Sequence, residues 1–150
     1  PADLAAILRT LCDDAADRGD AVAYHGPGHV PLPLRPVAIK RAFGNLIDNA
    51  VKYGGSACVT LTEEAQAVTV RVEDGGPGIP EEALETVFEP FQRLEESRNR
   101  STGGTGLGLT IARRVVEGHG GTLTLVNRPE GGLAAIVRVP RPRGQPAKEA

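Results

Sequence analysis

Residues 101–114 read STGGTGLGLTIARR. Four glycines fall within the six positions 103–108, and an apolar run with helical spacing follows at once. A glycine-rich turn that opens a helix offers free backbone N–H groups and the positive end of the helix dipole, which suits a phosphate. A flexible loop that merely caps a helix would look the same. The pattern G-x-x-x-x-G-K-[ST] does not occur, because no lysine follows these glycines. The dinucleotide pattern G-x-G-x-x-G is also missing, and the preceding SRNRST (97–102) is no strand.

Outward from this turn, residues 106–118 read as a helix. GTLTLVN (121–127) and GLAAIVRVP (132–140) follow as a hairpin around RPEGG. On the other side, residues 89–105 are polar and charged and read as a mobile loop. EEALETVF (81–88) gives a short helix. ACVTLT and AVTVRVED alternate apolar and polar residues, so they read as an antiparallel hairpin. A helix from Pro36 to about Tyr53 ends at GGS, and a short strand is expected near Val22–Tyr24. Residues 3–18 place Leu4, Ile7, Leu8, Leu11 and Ala15 on one helical stripe, which Gly19 stops. The pattern predicts an α+β fold, an α/β sandwich with three main helices on a mixed, mostly antiparallel sheet. Residues 1–140 form the domain, and 141–150 read as a disordered tail.

The chain has 150 residues, a net charge of −2 and no Trp or Met. That length suits one domain with a core of Leu, Val, Ile and Ala. The balanced charge gives no reason to expect nucleic acid or an anionic membrane as partner. No apolar run is long enough to span a bilayer, and no signal peptide is visible. The first residue is Pro1, which suggests a piece of something longer. Cys12 and Cys58 lack metal-ligand spacing and read as reduced thiols in a cytoplasmic protein.

Two further patterns bear on chemistry. In FGNLIDNAVKYG (43–54), Phe43, Leu46, Ile47 and Ala50 share a face with Ile39, which must be core. Asn45, Asn49 and Lys52 line the other face. Asn is a mediocre helix former, and a carboxamide oxygen suits a magnesium ion that also holds phosphates. A plain solvated face is the competing reading. In VEDGGPGIP (72–80) a strand ends at Asp74, beside glycines that let the chain turn tightly. Such a carboxylate accepts from an exocyclic amine, or simply forms the turn.

Together these segments resemble the catalytic, ATP-binding domain of sensor histidine kinases, in the gyrase/Hsp90/histidine kinase/MutL superfamily with its Bergerat-type fold. The family's asparagine box is similar to residues 45–53, and its D-x-G-x-G box to Asp74–Gly78. Its phenylalanine box is similar to FEPF (88–91), and its second glycine box to GGTGLGL (103–109). The likeness runs over about residues 35–140 and is nearest to the EnvZ-type osmosensor branch.

The resemblance implies roles by position. Asn49 would be the Mg²⁺ ligand, with Asn45 beside it and Lys52 reaching the phosphates. Tyr53 would flank the adenine, and Asp74 would accept from its amino group. Gly76 and Gly78 would let the backbone approach the base, with Ile79 and Phe88 completing the nucleotide pocket. Arg93 would reach the γ-phosphate. Gly104, Thr105, Gly106, Leu107 and Gly108 would hold phosphates at the helix start. ATP-splitting members of the superfamily carry a Glu at the position of Asn45, and Asn cannot act as a base at neutral pH. The implied reaction is therefore transfer from ATP·Mg²⁺ to a histidine on a separate dimerisation and phosphoacceptor hairpin, with a response regulator downstream. That histidine is not among His25, His29 and His119, which read as histidines without a chemical role. This domain would be monomeric, on the cytoplasmic side of a homodimeric parent. Two rival readings are a non-catalytic nucleotide-binding module and a serine kinase or ATPase of the superfamily.

Overall fold

Asp3 fixes where the first helix begins. Its Oδ1 accepts from the N–H of Ala6 at 3.3 Å, an N-cap contact, and from the N–H of Val30 at 2.8 Å. Its Oδ2 lies 2.8 Å from Nδ1 of His29. Burial pushes this carboxyl up, but the hydrogen bonds from Val30, His29 and Ala6 outweigh it and hold the group below the usual carboxylate range. The same contacts bring β1 (Ala2–Asp3) against β3 (Pro31–Leu32), a two-stranded pair too short to show in the sequence pattern. Helix α1 (Leu4–Asp17) then buries Leu4, Ala5, Leu8, Cys12 and Ala15. Burial pushes the Cys12 thiol up to about 11, which makes it an inert core residue.

The computed structural model describes residues 2–76, 108–129 and 131–141. After α1 come β2 (Ala21–His25), α2 (Pro36–Gly54), β4 (Ser56–Glu63), β5 (Ala67–Glu73), α3 (Gly108–Gly118), β6 (Thr122–Asn127) and β7 (Leu133–Pro140). The fold is α+β, and the described residues form three helices on a mixed five-stranded sheet in the order β2-β4-β5-β7-β6. Both expected hairpins are present, and β4, β5, β7 and β6 are antiparallel neighbours. Strand β2 adds to β4 in parallel, with α2 in the connection between them.

Strand alternation lays one apolar row across the sheet: Leu61 opposite Val70, Val70 opposite Val137, and Val137 opposite Leu123. All four are buried in the core, with Phe43 and Ile39 of α2, Leu8 of α1, and Ala112 and Val116 of α3. Pro36 suits the first turn of α2, and Gly55 ends that helix at φ 81°, where any side chain would be strained.

His119 joins two helices. Its Nδ1 lies 2.8 Å from the carbonyl of Val115 in α3, and its Nε2 accepts the N–H of Arg35 before α2 at 3.1 Å. Those partners require the neutral tautomer with the proton on Nδ1. Of the expected tail, residue 141 is described. The Arg141 side chain is only 4 % exposed and pairs with Glu63 at 3.3 Å, and its N–H bonds the carbonyl of Gln66. Residues 142–150 and the short helix expected over 81–88 lie outside the described residues.

Candidate functional site

The apolar stripe of α2 seats the helix on the sheet and decides where its polar residues stand. Ile39, Phe43, Leu46, Ile47 and Ala50 are all buried, as their spacing requires. Asn45 and Asn49 are half-buried and Lys52 is exposed. The two carboxamides thus stand at the margin of the core, and only the lysine points to open solvent. Lys52 also helps line a shallow cavity of about 320 Å³ with Arg18, Asp20 and Asp48. Arg18 pairs there with Asp20 at 3.5 Å and Asp48 at 3.7 Å.

The C-terminal end of α2 meets the end of β5. Asp74, one residue past β5, is only 7 % exposed. A Cβ added at Gly54 would collide with the Asp74 carboxyl group, so the glycine is what lets helix and carboxylate touch. Asp74 Oδ1 accepts from the N–H of Gly76 at 2.9 Å and from the N–H of Leu133 at 3.2 Å. The N–H of Asp74 in turn donates to the carbonyl of Leu133 at 3.0 Å. Among the described residues both hydrogen bonds to the Asp74 side chain fall on Oδ1.

The β6–β7 turn closes the other side. Gly132 has φ 94°, and a Cβ there would strike the carbonyl oxygen of Asp74. Arg128 Nη1 donates to that same oxygen at 2.7 Å. Gly54, Arg128, Gly132 and Leu133 are thus neighbours of Asp74 that sequence reasoning missed. The signal was present in NRPEGG, an arginine and two glycines in the turn of a hairpin next to the Asp74 strand.

Helix α3 packs against α2 and begins at Gly108, the last glycine of the stretch 103–108. The structure brings Asn45, Asn49, Lys52, Asp74 and Gly76 to the C-terminal half of α2 and the end of β5. Gly78, Ile79, Phe88, Arg93, Gly104, Thr105, Gly106 and Leu107 lie outside the described residues, as do the Tyr53 side chain and the loop 89–105. Among the described residues no cluster of three or more His, Cys, Asp or Glu side chains could hold a metal. A neutral carboxamide margin fits a magnesium ion, which keeps several waters and takes phosphate oxygens instead of a full protein cage.

The sequence model of the histidine kinase-, DNA gyrase B- and HSP90-like ATPases matches residues 35–143. The chain belongs to this family. Its sequence is 49 % identical over 139 residues to the sensor histidine kinase GtrS of Pseudomonas aeruginosa, covering 93 % of this chain and 28 % of that relative. The chain therefore spans less than a third of that protein. Among solved structures, the histidine kinase domain of the E. coli osmosensor EnvZ is similar with a TM-score of 0.69 and 36 % identity, covering 99 % of this chain and 94 % of that one. Full-length ShkA in complex with AMPPNP is similar with a TM-score of 0.71 and 25 % identity, covering 100 % of this chain and 32 % of that one. These likenesses identify the chain as a histidine kinase catalytic domain. No helix among the described residues is long and apolar enough to cross a membrane.

Proposed function

We propose that this chain binds ATP with Mg²⁺ and presents the γ-phosphoryl group to a histidine carried by a separate helical hairpin of the same kinase. The observation that carries this reading is the setting of Asp74. It is a buried carboxylate with one oxygen held by two backbone N–H groups, and with no bond to the other oxygen among the described residues, at the end of a helix whose margin carries Asn45 and Asn49. The adenine amino group is a donor that such an oxygen accepts. ShkA, similar along the whole of this chain, was solved with AMPPNP, an adenine nucleotide.

Each residue has one task in this reading. Asp74 accepts from the adenine amino group, and the absence of a side chain at Gly76 lets the base lie against the backbone. Asn49 supplies an oxygen to Mg²⁺, with Asn45 next to it on the helix. Lys52 and Arg93 neutralise phosphate charge, and the backbone of residues 104–108 with Thr105 binds phosphates at the start of α3. Tyr53, Gly78, Ile79 and Phe88 enclose the base. When bound, Mg²⁺ would neutralise phosphate charge. Asn45 takes no proton from water, so the γ-phosphoryl is kept for another nucleophile. Phosphoryl transfer needs chiefly positioning and charge stabilisation, which these residues provide. A response regulator would receive the group next. The parent would be a homodimer with this domain, residues 1–140, on the cytoplasmic side.

The test is γ-labelled ATP with the chain alone and then with the parent's histidine-bearing hairpin. The chain alone should acquire no label and hydrolyse ATP slowly, since a missing general base is worth about 10²–10⁴ in rate. Added hairpin should acquire acid-labile label. Label on the chain itself, or rapid hydrolysis abolished by Asn45→Ala, would replace the transfer reading with an ATPase or self-modifying one.

A further inference from the structure

Arg128 reaches from the β6–β7 turn to the main chain of Asp74, and nothing in the reading above gives it a task. Its Nη1 donates to the Asp74 carbonyl at 2.7 Å, and its Nε lies 3.8 Å from Glu73 Oε2. The same Glu73 oxygen receives Arg71 Nη2 at 3.0 Å, so the carboxylate that braces Arg128 is itself anchored within β5. The turn is tied to Asp74 twice more, through the N–H and the carbonyl of Leu133. Within the turn, the Arg128 N–H bonds the Gly132 carbonyl at 2.8 Å and its carbonyl receives the Gly131 N–H at 3.0 Å. Gly132 leaves room for the Asp74 carbonyl that Arg128 grips.

We propose that Arg128 is a positioning residue for purine recognition: by gripping the Asp74 carbonyl it sets the direction in which the Asp74 carboxylate meets the base. The peptide after Asp74 has one free rotation that matters. If its carbonyl turns away, the following residues turn with it, and the Gly76 N–H leaves Oδ1. The carboxylate then loses one of its two fixed donors and rotates about its own side-chain bonds. A charge-assisted bond from a guanidinium to the carbonyl suppresses that rotation. Arg128 therefore acts through Asp74 and touches no part of the nucleotide in this scheme.

The proposal rests on Asp74 reading the base, and the test separates the two. ATP and inosine triphosphate share ribose and phosphates, but inosine carries a carbonyl where adenine carries its amino group. The ratio of their affinities isolates the Asp74 contact. Arg128→Met keeps the aliphatic stem and removes the donor. It should narrow the ratio about three- to tenfold, chiefly by weakening ATP, while Arg128→Lys, which retains a charged donor, should restore most of the wild-type ratio. If both nucleotides weaken equally in Arg128→Met, the residue is only structural and the proposal fails. Wild-type protein that does not distinguish the two nucleotides would instead overturn the role of Asp74. Should Arg128→Met not fold, the wild-type chain decides by NMR. The Arg128 guanidinium resonances should shift with ATP and hardly move with inosine triphosphate, and equal shifts would overturn the proposal.

Discussion

Helix α2 and the turn at Asp74 carry the two halves of the proposed site, and they are built in opposite ways. On α2 the work is divided by face. Ile39, Phe43 and Ile47 sit in the core, while Asn45, Asn49 and Lys52 occupy the margin and the surface. The helix is held by its apolar stripe, so its polar residues are free to be chosen for chemistry. At Asp74 no such division exists. The carboxylate proposed to meet the base is itself buried and tied to Gly76 and Leu133, and its main chain is tied to Arg128. Residues on a helix margin can be changed with little effect on the fold. A buried carboxylate that closes a turn couples recognition to structure.

The largest effect should come from breaking the core face of α2. Phe43 is fully buried, and Phe43→Ala should destabilise the chain by about 3–5 kcal/mol, read from a urea melt. A loss below about 1 kcal/mol would mean that this face does not seat the helix. The polar face should respond differently. Asn49→Ala should leave the melt within about 0.5 kcal/mol of the wild type. Transfer from ATP to the histidine hairpin should still fall at least about tenfold, the usual scale for a disturbed metal site. If Asn49→Ala melts the domain and spares the transfer, the asparagine is structural and the division by face is wrong.

A smaller effect sharpens the comparison at a third point, remote from the site. The Asp3 carboxyl lies below the usual range, so it contributes stability when ionised, above its unfolded pKa. That contribution disappears as pH falls through the folded value. Asp3→Asn keeps an oxygen for the N–H groups of Val30 and Ala6 but loses the charge. Its melting temperature should lie below the wild type's at neutral pH by the equivalent of about 0.3–1 kcal/mol, the usual scale of a negative charge at a helix N-terminus. The gap should close on acidification past the carboxylate range. A gap that is constant with pH would show that the charge is irrelevant to the cap.

Local patterns were legible in the sequence where one residue type repeats with one period. The stripe Ile39–Phe43–Leu46–Ile47–Ala50 predicts both the helix and its buried face, and the alternation in ACVTLT and AVTVRVED predicts β4 and β5 with nearly correct ends. The parallel pairing of β2 with β4 was not legible, because it joins residues 35 positions apart whose own pattern is too short to show a partner. Arg141 was read as part of a tail because charge and proline dominate its surroundings. Its burial depends on Glu63, across 78 residues. The Asp74 carboxylate stood out through its glycines, yet the groups that orient it come from a hairpin 54 or more residues later. Periodicity reports which way a residue faces within its own element. It carries no information about which distant loop will arrive there.

The central claim is that Asp74, fixed by the β6–β7 turn at the end of α2, reads an adenine base. Titration calorimetry of the wild type and Asp74→Asn with ATP and GTP tests it most directly. In Asp74→Asn the amide oxygen can still accept from Gly76 and Leu133, so the turn should persist. The amide nitrogen, however, places a donor where the adenine amino group must donate. ATP binding should weaken by about ten- to a hundredfold, the worth of a hydrogen bond to a charged group, and the wild type should bind GTP poorly. Equal affinity of the wild type for ATP and GTP, or an Asp74→Asn variant that binds ATP as tightly as the wild type, would contradict it.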